Sequence, residues 1–306
     1  MQKKMDYKSF LSNKELRLKL LGLLGFIPDK QMCKLQFKMV MGKKLDLKNP
    51  TTFNEKIQWL KIYDHNRQHI KLVDKYSVRG YVSEILGDKY LIPLLGKWNK
   101  FEDINFEELP EKFVLKCNHD SGSIKIINNK NTINYKELKK FFDNRLRNNP
   151  YLYGREWPYK EVKSCIIAEK YMSDTNGQPL IDYKFFCFAG YVDSVMICTG
   201  RGTNEKRFYF FDRNWKLKKY NKSSQELPDD FQIEKPEGIE SLFDLASQMS
   251  QQEAFVRIDF YLIDGYPYFG EFTYYPASGL DNNLVEWGDY YLGGLINLNK
   301  IEKRGD

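Results

Sequence analysis

Apolar and polar positions alternate along residues 255–263 and again along 266–275, with Asp264-Gly265 between them. That spacing predicts two antiparallel strands joined by a tight turn. Side chains alternate along a strand, so Val256, Ile258 and Phe260, then Tyr268, Gly270, Phe272 and Tyr274, form an apolar face. The opposite face collects Arg257 and Asp259, then Glu271 and Thr273. A two-residue loop pairs 263 with 266 and turns Glu271 away from Asp259. A three-residue loop pairing 263 with 267, or an equivalent bulge, sets Asp259 opposite Glu271 and Arg257 opposite Thr273. That register is expected, because it alone keeps one face apolar.

Elsewhere Thr52 precedes Phe53, Ile57 and Leu60 at helical spacing, which predicts a helix start. "IKLVDKYSVRGYVSEILG" predicts a second helix that ends at Gly87 and carries Asp74-Lys75. "KYLIPLLGKW" predicts a short strand, and "EKFVLKCNHDSGSIKIINN" predicts strand, turn and strand. Residues 135–147 and 239–251 read as helices, "CIIAEKYM" as a buried strand, and 180–198 and 206–217 as a meander. Helices mixed with mostly antiparallel strands define an α+β class.

The chain has 306 residues, 42% hydrophobic and 15% aromatic, enough for a sizeable core. Its five dispersed cysteines lack metal-site spacing, so a reducing compartment, the cytoplasm, is expected rather than a disulfide framework. The net charge of +7 is uneven, since residues 1–50 hold twelve Lys/Arg against four Asp/Glu. That segment reads as amphipathic helices broken near Pro28. A basic extension packed on the body is favoured; the alternative is peripheral contact with an anionic membrane, at its inner face. No basic stripe or nucleic-acid motif follows, so nucleic acid is not expected as a partner.

Two opposed carboxylates repel, and a divalent cation such as Mg2+ removes that repulsion. A solvated face with one Arg–Asp pair is the other reading of the hairpin. The second informative stretch is Lys116 followed by "NHDSGS", whose small residues can offer backbone N–H groups to phosphate. No Walker loop, protein-kinase signature or nucleophile triad occurs. His119 reads as a turn residue held by hydrogen bonds.

The order of "FNEKIQWLKIYD", "DKYSVRGYV", "YLIPLLGKW", "KFVLKCNHDSGS", "GREWPYK", "IIAEKY", "DYKFFCF" and "FVRIDFY…YFGEFTYYPASG" resembles the TupA-like ATP-grasp proteins of bacterial surface-polysaccharide clusters. The resemblance implies an ATP-grasp fold of two α+β subdomains sandwiching ATP. It divides the chain into a basic helical extension (1–50), an N-terminal part (51–110), a small subdomain with the phosphate loop (111–175) and a C-terminal subdomain with the metal hairpin (176–306). Lys75 and Lys116 would hold phosphates, and Ser121, Gly122 and Ser123 would close over them. Glu169, Lys170, Tyr171 and Met172 would meet adenine. Asp259, Glu271 and Thr273 would bind one or two Mg2+ ions. Arg257, Lys184 and Arg207 would be catalytic, and Arg155, Trp157, Asp182, Arg201 and Ser278 would face substrate, with Tyr159 as a stacking surface. Many relatives carry Asn where this chain has Thr273, so a weaker or differently built second metal site is expected. The implied chemistry joins an amine to a hexuronic acid carboxylate of a capsule or other surface polysaccharide, or its precursor, through an acyl phosphate. The alternatives are a glycosyltransferase, a sugar kinase on the same ATP platform, or a binding protein with a degenerate ATP site. The chain contains no Asp-x-Asp, which counts against metal-dependent nucleotide-sugar transferases.

Overall fold

The computed structural model describes residues 23–174, 180–200, 206–228 and 230–301. Two antiparallel sheets organise them. The smaller runs β1 (Leu94–Trp98), β4 (Ile166–Lys170), β2 (Phe113–Cys117), β3 (Ile124–Ile127). The larger runs β10 (Tyr266–Thr273), β9 (Val256–Ile263), β5 (Asp182–Phe188), β6 (Tyr191–Thr199), β7 (Arg207–Phe211), β8 (Leu217–Lys218). β1 belongs to the smaller sheet although it lies before residue 111, so that sheet begins earlier than the sequence division places it.

Each sheet buries its own apolar face. Phe113, Leu115, Ile166 and Ala168 pack with Phe101 and with Leu138 and Phe142 of helix α5 (Tyr135–Leu146). The larger core gathers Phe185, Ile258, Phe260 and Phe272 with Leu242, Phe243 and Ala246 of α8 (Ile239–Met249). Helix α1 (Asp29–Met41) begins after Pro28 and buries Cys33, Phe37 and Val40 against the same core. This part of the basic front segment is therefore packed on the body; residues 1–22 lie outside the described residues. No helix among the described residues is long and apolar enough to cross a membrane. All five cysteines are buried and unpaired.

Helix α2 (Phe53–Tyr63) starts where Thr52 predicts, with a reciprocal cap between Thr52 and Glu55. Both residues are buried. Thr52→Ala removes the acceptor for the Glu55 N–H, and a loss of about 1 kcal/mol is expected in denaturant unfolding.

The stretch expected as one helix is two, α3 (Gln68–Val73) and α4 (Val78–Ile85). The break is at Asp74, whose ψ is 112°. Its carboxylate accepts from the Tyr76 N–H (2.8 Å), the Ser77 hydroxyl (2.8 Å) and the Asn118 amide (2.8 Å). The Lys75 N–H donates to the Asn118 carbonyl at 3.0 Å. The interruption thus ties Lys75 to the segment that follows β2.

The hairpin reaches the expected pairing by the bulge, not by a longer loop. Ile263 pairs with Tyr266, so the loop has two residues, Asp264 and Gly265, both at positive φ (50° and 75°). That geometry matches the twist of the flanking strands. The extra residue is Gly270: below it Phe269 faces Phe260, and beyond it Glu271 faces Asp259 and Thr273 faces Arg257. The bulge also shifts the parity of the apolar face. Phe269 rather than Tyr268 is buried near the turn, while Phe272 and Tyr274 keep their expected inward positions.

Candidate active site

A cleft of about 730 Å³ lies between the two sheets. The smaller sheet contributes Lys116 and the turn residues Asp120, Ser121 and Gly122; the larger contributes Lys184, Arg257, Asp259 and Glu271; Lys75 reaches in from the helix break.

The charges interlock. The Arg257 guanidinium grips Asp259 through two bonds, 2.7 and 2.8 Å, and donates to the Thr273 hydroxyl at 2.9 Å. The Lys184 ammonium meets Asp259 at 2.5 Å and also contacts Asp182. Lys116 pairs with Glu169 at 2.6 Å, and Glu169 is also approached by Arg79 at 3.4 Å. Lys75 donates to the Asp120 carbonyl at 2.8 Å and lies 3.6 Å from Glu271.

Glu271 differs from its neighbours. Its side chain is 38% exposed, and its ion-pair partners stand at 3.4 and 3.6 Å. Desolvation raises its carboxyl, but Lys75, Arg257, Lys184 and Lys116 outweigh that and hold it at about 2. It is an anion open to the cleft, opposite an Asp259 whose oxygens are already gripped.

This donor set suits one hard divalent cation. Glu271 offers carboxylate oxygens directly and Asp259 lies across the strand pair from it. No cluster of three or more His, Cys, Asp or Glu suited to a metal occurs among the described residues. Magnesium often takes only one or two protein carboxylates, completing its shell with phosphate oxygens and water. Thr273 is turned to Arg257, so its hydroxyl orients the guanidinium.

Other candidates are placed differently. Ser123 is buried beneath the turn, with its hydroxyl on the Asp120 carboxylate. Glu169 is buried on the charge network, and the Lys170 N–H is taken by the Pro93 carbonyl at 2.9 Å. Lys170, Tyr171, Met172 and Arg207 are not among the residues lining the cleft; Lys206 and Phe208 beside Arg207 are. Arg201 lies outside the described residues.

Two substrate candidates face elsewhere. Arg155 is buried and donates to the Leu24 carbonyl at 2.8 Å, with Asp29 at 3.4 Å, so it fastens the front segment. Trp157 is buried, and its indole N–H donates to the Asp64 carbonyl at 3.0 Å. The His119 Nε2–H donates to the Asn148 carbonyl (3.2 Å), in keeping with a turn residue.

Ser278 does not line the cleft, but its neighbours Pro276 and Ala277 do. Ala277, Ser278 and Gly279 all adopt left-handed backbone, with φ of 48°, 58° and 64°. Such conformations are disfavoured for residues with a Cβ. The turn is pinned from below, because buried Lys61 and Gln58 donate to the Ser278 carbonyl at 2.8 and 2.9 Å.

Arg79, Asp74 and Asn118 were not legible as site residues. Each acts through another side chain, and the pairs are far apart in sequence. Asp120 stood within the quoted turn, yet only the fold shows its carbonyl receiving Lys75.

Two antiparallel sheets facing across a cationic cleft, with opposed carboxylates on a hairpin, form an ATP-grasp fold. The model of the TupA-like ATP-grasp family matches residues 55–297, and the chain belongs to that family. Among solved structures it is similar to a D-alanine–D-alanine ligase from Bacillus anthracis (18% identity, 80% of this chain and 69% of that one, TM-score 0.43). It is also similar to a RimK domain ATP-grasp protein from Sphaerobacter thermophilus (10% identity, 76% and 69%, TM-score 0.41). No curated protein matches the chain.

Proposed function

We propose that the cleft binds Mg-ATP and uses it to join a carboxylate to an amine, with the carboxylate carried by a hexuronic acid of a surface polysaccharide or its precursor. The observation that carries this reading is the convergence of Lys75, Lys116, Lys184 and Arg257 on the Asp259–Glu271 pair from both sides of one cleft. Such a set neutralises and positions phosphates, and phosphoryl transfer needs those two services more than a protein nucleophile.

In this mechanism Lys75 and Lys116 hold the phosphate chain from the helix break and the smaller sheet. The Ser121-Gly122 turn covers it. Glu271, with Asp259 across from it, would hold a divalent cation, whose charge would offset that of the phosphate oxygens. A substrate carboxylate oxygen attacks the γ-phosphorus, the bond to ADP breaks, and an acyl phosphate forms. Arg257, fixed by Asp259 and Thr273, faces the transferred group. The amine then attacks the acyl carbon, the carbon–oxygen bond to phosphate breaks, and the amine loses a proton to solvent.

The test is ADP and amide formation with uronic acids and a panel of amines, using carboxylate labelled with heavy oxygen. One labelled oxygen is expected in the released phosphate. ADP without free phosphate or amide indicates a sugar kinase. Binding of a UDP-sugar but not of Mg-ATP removes the ligase reading.

A further inference from the structure

The two most exposed large apolar side chains among the described residues are Phe26 (81%) and Leu23 (73%). They stand just before Pro28 and helix α1, whose inner face packs Met32, Cys33, Phe37 and Val40. The outer face of α1 carries exposed Lys30, Lys34 and Lys38 at successive turns, with exposed Leu35 and Met39 beside them. Positions three and four apart are neighbours on a helix, so the lysine row and the apolar row adjoin. Lys43, Lys44 and Lys48 continue the exposed charge past the helix end.

The segment is fastened from behind. Buried Arg155 donates to the carbonyls of Leu24 (2.8 Å) and Gly25 (3.4 Å), which lie between the two exposed side chains. The Tyr151 hydroxyl donates to the Asp29 carboxylate at 2.6 Å, and Arg155 also approaches it. Asp29 is the one acid of α1, so the acid faces the body and the outer face keeps only cations. Lys30 stands over the Tyr63 ring at 5.6 Å. Among the described residues none of the three outer lysines pairs with a carboxylate.

We propose that this face docks on an anionic phospholipid surface, with Phe26 and Leu23 entering the acyl boundary and the lysines meeting the head groups. The inference uses residues outside the cleft and stands apart from the ligase reading.

Charge selects the occupant. A lipid interface supplies negative head groups and an apolar layer together, and each lysine near it adds attraction. Protein interfaces are depleted in lysine and enriched in arginine, whereas all six cations of residues 23–50 are lysines. A second copy would bring the same lysines against these. Residues 1–22 hold six Lys/Arg against two Asp/Glu, so as a cover they too would set like charge on the lysine row.

The test sediments the full chain with vesicles of phosphatidylcholine, alone or mixed with phosphatidylglycerol. Binding is expected only to the mixed vesicles and should weaken as salt is added. Phe26→Ser should lower vesicle affinity by about tenfold. Joint replacement of Lys30, Lys34 and Lys38 by Gln should lower it by about 100-fold. Thermal unfolding and Mg-ATP binding should stay unchanged in both. Because the five native cysteines are buried, Phe26→Cys can be labelled selectively with an environment-sensitive dye, whose emission should shift to the blue only when mixed vesicles are added. Blue emission in buffer alone means that the chain itself or a second copy covers the face, and overturns the proposal. So does equal binding to phosphatidylcholine, no binding, or wild-type affinity in both variants, the last of which places any lipid contact in another part of the chain.

Discussion

Glu271→Gln is expected to abolish measurable Mg-ATP binding in calorimetry while leaving thermal unfolding almost unchanged. The substitution keeps the shape and removes a carboxylate that is ionised and open to the cleft. Losing an outer-sphere partner of a metal typically costs 10–100-fold in affinity, so losing a direct ligand should cost more than about 100-fold. The pH dependence is specific. A carboxyl held at about 2 keeps its charge down to that pH and loses it only as pH falls through that value. Any acid limb of ATP binding near the ordinary carboxylate range of about 4 must then arise elsewhere. Lys75→Met removes the foremost of the cations that lower this carboxyl and should raise the pH at which Glu271 itself loses its charge. Undiminished Mg-ATP binding by Glu271→Gln would remove the metal platform from the mechanism.

Gly270→Val should produce the second large effect, on stability and binding together. A Cβ at 270 would lie 2.9 Å from the Asp259 carbonyl oxygen and 3.4 Å from the Tyr261 ring. The carbonyl belongs to a central strand and cannot yield without moving Asp259. Overpacking of this kind costs about 1–3 kcal/mol, read as a lower denaturant midpoint, and Mg-ATP binding should fall with it. Gly265→Ala is the contrast. Its Cβ would meet nothing within 4 Å, but its φ of 75° strains any other residue, by about 1 kcal/mol. It should lower stability and leave nucleotide binding intact. Equal binding loss in both variants would mean that the bulge has no special part in placing Glu271.

The hairpin was legible because alternation is a local property, and polar residues confined to one parity force the pairing of Asp259 with Glu271. The means was less legible. Asp264-Gly265 satisfied a two-residue turn by itself, so the extra residue moved to Gly270, where the missing side chain lets the Asp259 backbone approach. The helix break at Asp74 was invisible for a different reason. Helical spacing runs straight through it, and one ligand of the interrupting carboxylate is Asn118, 44 residues away. Arg155 shows the converse. A cation among aromatic residues looks like a substrate ligand, yet its partners are two carbonyls and the Asp29 carboxylate of the front segment. Lys184 was expected to be catalytic, and the ion pair it makes with Asp259, on the adjacent strand one in from the sheet edge, has no local signal in the sequence.

Lys75 touches both halves of the cleft, the Asp120 carbonyl on one side and Glu271 on the other. A single ammonium thereby acts as a spacer whose reach sets the resting gap between the sheets. Shortening or lengthening that one side chain would rescale the distance between the covering turn and the carboxylate hairpin without altering either of them.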